Sequence, residues 1–134
     1  MSETAARTGT ATRVTVEARA TGDSLRALSG VVQVYLREIA GLPGEDPRAA
    51  RIRLAIVEAV THVIRHGYAG RESGPVTLSL ECKGDRLKCV LSDHADRFNP
   101  FDRRRSHGLV MDTVRHRYDP AAGNELTMTT RLGG

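Results

Sequence analysis

The chain has 134 residues, of which 40% are hydrophobic and 27% charged, and this composition is typical of one ordinary globular domain. Its formal net charge is +4, but the basic residues are spread along the chain and only 4% of residues are aromatic. Little is therefore available for stacking on bases, and we expect no direct nucleic-acid binding. No apolar run approaches the ~20 residues that cross a membrane, so we expect no membrane segment.

The N-terminal segment, residues 1–12, is small and polar and lacks the hydrophobic stretch of a secretory signal. We expect a flexible tail here and a cytoplasmic protein, with residues 13–134 forming a single domain. From Arg13 to Arg19 apolar and polar residues alternate, which predicts a half-buried strand. Asp23 is placed to cap a first helix that runs to about Ala40 and ends before Gly41.

A second helix is predicted to begin at Asp46-Pro47, run to about His66 and stop at Gly67. At about 100° per residue, a polar stripe follows one edge of this helix, and His66 falls just inside the apolar arc. The members of the stripe are Arg51, Glu58, His62 and Arg65. Buried polar groups at such an edge need partners, so this wall of the helix is expected to face a ligand site.

Two alternating segments, 75–82 and 86–92, predict strands joined by a tight turn at Gly84-Asp85. This register sets Cys82 opposite Leu87 and Cys89 opposite Leu80, so the two cysteines are expected to remain buried free thiols. A polar segment, 93–107, follows. A short helix is predicted over about 108–115, capped by Ser106, and a last strand over 124–132. Grouped strands and helices indicate an α+β fold.

Three segments carry a resemblance to a known family. They read EAVTHVIRHGY over Glu58–Tyr68, LSDHADRFNP over Leu91–Pro100, and GLVM from Gly108. In this order, these motifs resemble the GHKL ATPase superfamily, and within it the anti-sigma-factor serine kinases of the RsbW type. The resemblance implies a two-layer α/β sandwich, with a mixed, mostly antiparallel sheet and helices on one face.

The resemblance also implies the site. Glu58 would be the general base for phosphoryl transfer, and Asp93 would accept a hydrogen bond from the adenine amino group. Gly108 would bring the start of a helix close to phosphate. The cofactor would be ATP or ADP with Mg²⁺, with the metal at position 62. The nucleotide-binding residues implied are His62, Arg65, His66, Asp93, Ala95, Arg97, Gly108 and Leu109. Without the resemblance, Glu58 reads as a helix-edge carboxylate paired with Arg65 or Arg51.

The chain departs from the family pattern at several of these positions. His62 stands where the family has the asparagine that holds Mg²⁺, and this metal prefers oxygen to nitrogen ligands. Ala95 and Arg97 replace the glycines of the family loop, which removes space for close approach of the nucleotide. The short segment before Gly108 contains Arg103-Arg104-Arg105. This run is either a solvated loop or a cover for the triphosphate.

Three functions follow as expectations. The first is an anti-sigma regulatory factor that binds ATP and phosphorylates its antagonist, with a sigma factor or that antagonist as partner. The resemblance also implies a homodimer, since members of the family often act as dimers. The second is a binding module of the same fold that sequesters its partner without ATP. The third is a metal-dependent hydrolase using His62 and His66. Glu58 and His66 are separated by ~12 Å along a helix, too far for these three residues to hold one metal.

Overall fold

The computed structural model describes residues 12–68, 73–95 and 111–132. The described residues form five strands and two α-helices, the second of which continues into a single π-helical turn. In chain order the elements are β1 (Thr12–Arg19), α1 (Gly22–Glu38), α2 (Pro47–His62), the π turn (Val63–Gly67), β2 (Pro75–Lys83), β3 (Arg86–Asp93), β4 (Thr113–Asp119) and β5 (Gly123–Arg131). Thr12, which the sequence placed in the tail, is the first residue of β1 and pairs with Cys82.

The strands form one sheet in the order β1-β2-β3-β5-β4. All four pairings among the described strands are antiparallel, so no parallel pair appears where a mixed sheet was predicted. The predicted α+β sandwich is confirmed. The hairpin register is also confirmed, since Cys82 lies opposite Leu87 and Cys89 opposite Leu80. Both cysteines are free thiols, but only Cys89 is fully buried.

The core lies between one face of the sheet and the two helices. Alternate residues of the central strands point into it, among them Leu78, Leu80, Leu91, Leu126 and Met128. The helices supply the opposite wall, chiefly Leu28, Val32, Leu36, Ile52, Ile56 and Val60. Each such side chain contributes about 1.5–3 kcal/mol when it is fully buried. The other face of the sheet carries the polar residues of each strand, as period-2 alternation requires.

Both helices begin with side-chain caps. The hydroxyl of Thr21, not the predicted Asp23, caps α1 by accepting a hydrogen bond from Ser24 N at 3.3 Å. Asp46 caps α2 as predicted, since its carboxylate accepts from Arg48 N at 2.9 Å and Pro47 follows. Asp23 instead lies in the first turn of α1, where its negative charge faces the positive end of the helix dipole.

Two predicted elements differ in the structure. The second helix is α-helical only to His62, and the π turn replaces its predicted last turn. Residues 113–115, predicted to end a short helix, belong instead to strand β4, which was not predicted from sequence. The polar and basic sequence of β4, TVRHRYD, hides its alternation because only one face of this edge strand meets the core. Met111 and Asp112, also predicted as helical, form a bend before β4. The start of the predicted short helix, 108–110 with Gly108 and Leu109, lies outside the described residues, as does its predicted cap Ser106.

Among the described residues, no helix combines the length and apolar character needed to cross a membrane.

Candidate functional site

One side of α2 and the π turn lines a cavity of about 220 Å³. Four of its five lining residues were predicted from sequence as site residues, and Thr61 is the addition. The lining comprises Glu58, Thr61, His62, Arg65 and His66. Glu58 and His62 are partly buried, whereas Arg65 and His66 are exposed. Three of the four residues of the predicted polar stripe, Glu58, His62 and Arg65, therefore line one cavity, whereas Arg51 is not among its lining residues.

The π turn explains why His66 lies on this wall. On a continuous α-helix this residue would fall inside the apolar arc, but it is exposed in the structure, so that prediction was wrong. The i→i+5 bonds of a π turn make it wider than an α turn, so each residue advances by less than about 100°. His66 consequently remains on the polar edge, with its ring centroid 5.8 Å from that of His62. Single π turns often mark functional sites.

A second cluster lies at the end of β3. Asp93 is 2% exposed, and its carboxylate Oδ1 accepts hydrogen bonds from Ala95 N and from Asn124 Nδ2, both at 2.9 Å. Asn124 Oδ1 lies 3.0 Å from His116 Nε2. Since the amide nitrogen of Asn124 faces the carboxylate, its oxygen must accept, and His116 must therefore donate from Nε2. Asn124 and His116 were not predicted from sequence, because neither belongs to a recognised motif.

Gly123 allows β5 to approach β3 at this cluster. Its φ is +88°, a conformation that L side chains rarely adopt. A Cβ at this position would lie 2.0 Å from Asp93 O and 2.9 Å from His94 Cα. Glycine is thus required for two reasons: the backbone has a positive φ, and there is no space for a Cβ. Its place just before Asn124 was the one sequence signal that could have identified this side of the cluster.

Tyr68 joins the two clusters. It follows the π turn, and its hydroxyl donates to Pro75 O at 2.7 Å and accepts from His94 N at 2.8 Å. Its ring packs on Gly74, where a Cβ would lie 2.6 Å from the ring. The phenol thus fixes the end of α2 to the backbone beside Asp93.

The structure therefore brings Glu58, His62, Arg65 and His66 to one cavity and Asp93 with Ala95 to a second cluster at the end of β3. Arg97, Gly108, Leu109 and the Arg103–Arg105 run lie outside the described residues. No group of three or more His, Cys, Asp or Glu side chains arranged for a metal occurs in the part of the chain that is described. His62 and His66 consequently receive no third ligand from this part of the protein.

A model of the histidine kinase-like ATPase domain matches residues 18–130, which include both helices, Asp93 and most of β5. The chain belongs to the histidine kinase-like ATPase family. The resemblance to GHKL ATPases inferred from sequence motifs is thereby confirmed. In this family assignment, the wall of α2 and the Asp93 cluster both lie within the matched domain.

Among curated proteins, this family member is similar to the serine-protein kinase RsbW of Staphylococcus epidermidis and to the same-named proteins of two strains of that species. The identity is 36% over 56 residues, which is 41% of this chain and 35% of each relative. The matched stretch thus spans about a third of the length of these relatives.

Proposed function

We propose that this histidine kinase-like ATPase domain is a cytoplasmic anti-sigma regulatory factor that binds an adenine nucleotide and phosphorylates a serine of a protein antagonist. Two findings support the proposal: the family of the domain and its partial similarity to serine-protein kinases. Glu58, on the cavity wall, and Asp93, at the end of β3, are the two residues on which it depends.

The observation that carries nucleotide binding is the state of the Asp93 carboxylate. Among the described residues, both hydrogen bonds to this side chain end on Oδ1, and Oδ2 accepts none. A buried carboxylate oxygen without a donor is costly and uncommon. The exocyclic amine of adenine is a donor of the required kind. The carboxylate is also held in place by Asn124 and Ala95, so little ordering remains to be done when a ligand binds.

The proposed phosphoryl transfer requires few chemical steps from the chain itself. ATP would supply the γ-phosphoryl group, and the serine oxygen of the antagonist would attack its phosphorus. The new P–O bond forms as the bond to the bridging oxygen of the β-phosphate breaks, and ADP leaves with that electron pair. Glu58 would accept the serine proton, and Arg65 on the same wall would offer positive charge to phosphate oxygens. Positioning and charge do most of the work in such a transfer.

His62 does not fit the Mg²⁺ that the family implies. Neutral imidazole offers a nitrogen where this metal prefers oxygen, and the described residues contain no cluster that would replace it. We therefore derive no step through a metal at this position. The same observation favours a second function, a binding module that sequesters a sigma factor or its antagonist and in which phosphoryl transfer has been lost.

The two functions are separated by phosphorylation of soluble proteins from the cells that make this chain, using ATP labelled at the γ-phosphate. The wild-type chain is compared with Glu58→Gln, and with Glu45→Gln as a matched exposed control. The kinase predicts serine labelling that is lost only in Glu58→Gln. Absence of labelling, together with an unchanged melting temperature in millimolar ATP or ADP, contradicts both nucleotide binding and transfer and leaves the binding module.

A further inference from the structure

His62 and His66 form a pair of imidazoles on the wall of α2 and the π turn. Their ring centroids are 5.8 Å apart, and the ring planes are inclined by 36°. Both side chains line the cavity of about 220 Å³. The π turn keeps His66 on this wall, so the pair depends on the widening of the helix after His62. Two histidines at i and i+4 on one helix face are a recurrent zinc-binding arrangement.

The distance between the rings fits one shared metal ion. A zinc–nitrogen bond of about 2.0–2.1 Å places the metal about 3.2 Å from the centroid of each ligating ring. Two rings on one ion are then about 5.2 Å apart at the tetrahedral angle, and about 6.4 Å apart at most. The observed 5.8 Å between His62 and His66 lies in this range. One ion can therefore contact both rings after small side-chain rotations.

Metal binding does not require either histidine to lose its other contacts. Each imidazole has two ring nitrogens, and a metal takes the lone pair of only one of them. The second nitrogen commonly donates a hydrogen bond that fixes the tautomer and the orientation of the ring. His62 is partly buried and His66 is exposed, so an ion can reach the pair from solvent.

The donor atoms select the class of metal. Two neutral imidazole nitrogens suit Zn²⁺, Co²⁺ and Ni²⁺, whereas Mg²⁺ prefers oxygen ligands. In the part of the chain that the structure describes, no third His, Cys, Asp or Glu side chain joins the pair in a metal-binding group. A tetrahedral ion held by His62 and His66 would consequently keep two positions for ligands from outside this group.

Arg65 indicates what kind of ligand those positions take. Its side chain lines the same cavity as the two imidazoles, and a second cation beside a divalent ion is unfavourable unless an anion lies between them. Glu58 lines the cavity too, but one carboxylate does not balance the charge of a divalent ion and Arg65 together. Phosphate oxygens suit both cations, since they bind metals and accept hydrogen bonds from arginine.

We propose that His62 and His66 jointly hold one divalent ion of the zinc class, and that phosphate oxygens complete its coordination. The imidazole of His62, which does not suit Mg²⁺, is thereby a ligand for a different metal. Metal binding by the pair goes beyond the proposed function, whereas the phosphate part rests on nucleotide binding by the same domain.

Isothermal titration with Zn²⁺ alone tests the shared site, using the chelator-treated 134-residue chain in a phosphate-free buffer. The wild type should bind one Zn²⁺. His62→Gln and His66→Gln should each weaken binding about tenfold or more, because each removes one of two protein ligands. His94→Gln is the matched control, since it changes an exposed histidine outside the pair and should leave binding unchanged.

A second readout uses the unaltered protein. Zn²⁺ should shift the ring-nitrogen NMR signals of His62 and His66 and leave that of His116, which is hydrogen-bonded to Asn124, in place. Absence of Zn²⁺ binding in the wild type, or wild-type affinity in either paired variant, would overturn the proposal. An equal loss in His94→Gln, or a shift of only one of the two paired signals, would overturn it as well.

Titrations with ADP test the phosphate part separately. In the wild type, ADP should bind about tenfold more tightly with Zn²⁺ than with a chelator, and both paired variants should lose this difference. Asp93→Asn should bind Zn²⁺ as the wild type does while binding ADP weakly, which separates the metal site from the adenine site. ADP affinity that does not change with Zn²⁺ would overturn only the phosphate part. Absence of ADP binding under all conditions would overturn the proposed function together with it.

Discussion

Asn124 Nδ2 donates a hydrogen bond of 2.9 Å to Asp93 Oδ1, joining the second residue of β5 to the last residue of β3. The two residues are direct neighbours in the β3–β5 register. This bond orients the carboxylate, while Ala95 N occupies the same oxygen from the other side. The ladder of β-sheet pairs thus fixes the direction in which the second carboxylate oxygen can accept a donor, before any ligand binds.

The approach of β5 to β3 predicts a large effect of Gly123→Ala. The new methyl would meet Asp93 O, and alanine would have to adopt the positive φ of this position. We expect a loss of about 2–4 kcal/mol in the free energy of unfolding, measured by urea denaturation. Gly44→Ala is the control, because no atom lies within 4 Å of its added methyl. Equal stabilities of the two variants would show that β5 does not approach β3 this closely at position 123.

The hydroxyl of Tyr68 predicts a measurable loss in Tyr68→Phe. This change removes the acceptor for His94 N and the donor for Pro75 O without emptying the ring's place on Gly74. We expect unfolding to become easier by about 1–3 kcal/mol, since two backbone groups lose their partner. Tyr118→Phe, on the edge strand β4, should change stability by less than about 0.5 kcal/mol. If the two variants are indistinguishable, the phenol does not join α2 to the Asp93 segment.

The two cysteines should differ in reactivity. Burial raises the pKa of the Cys89 thiol to about 12, and burial also raises the pKa of Cys82, which is less enclosed. Only the thiolate reacts, so alkylation at pH 8 should be slow at Cys82 and undetectable at Cys89 in the native protein. Mass spectrometry of native and urea-unfolded samples measures this, and both residues should react after unfolding. Rapid native labelling of Cys89 would contradict its place in the core.

Position 62 predicts the metal dependence of nucleotide binding. In wild type, adding Mg²⁺ should change the ATP-induced shift in melting temperature little, since imidazole is a poor ligand for this metal. His62→Asn supplies an amide oxygen, and its ATP shift should become larger with Mg²⁺ than with a chelator. The chelated sample is the internal control for each variant. If the ATP-induced shift in melting temperature of wild type already depends on Mg²⁺, the residue at position 62 does not determine whether Mg²⁺ contributes to nucleotide binding.

Sequence patterns predicted the elements whose two faces differ clearly in polarity. The β2–β3 hairpin was predictable to its register because apolar alternation and Gly84-Asp85 agree. The start of α2 was predictable because Asp46-Pro47 is a strong capping pair. Strand β4 was not, since its inward residues Val114, His116 and Tyr118 are only partly buried and its other face is charged.

The candidate site, too, was predictable from sequence only in part. The helix spacing placed Glu58 and His62 on one wall because both lie in regular α-helix. Arg65 lies in the π turn and lines the same cavity. The exposure of His66 depends on the π turn, and no residue type in its sequence, VIRHG, predicts such a turn. The roles of Asn124, His116 and Tyr68 depended on contacts between elements distant in sequence, which periodicity within one element cannot reveal.

Isothermal titration of the protein with ADP and with ATP tests the central claim most directly. The account predicts binding in wild type that weakens at least tenfold in Asp93→Asn, because the amide would present a donor to the adenine amine while keeping one oxygen for Asn124 and Ala95. Asp85→Asn, an exposed turn residue at the other end of β3, should bind as wild type does. Equal nucleotide affinity in all three proteins, or none in the wild type, would contradict the assignment of Asp93 as the adenine acceptor.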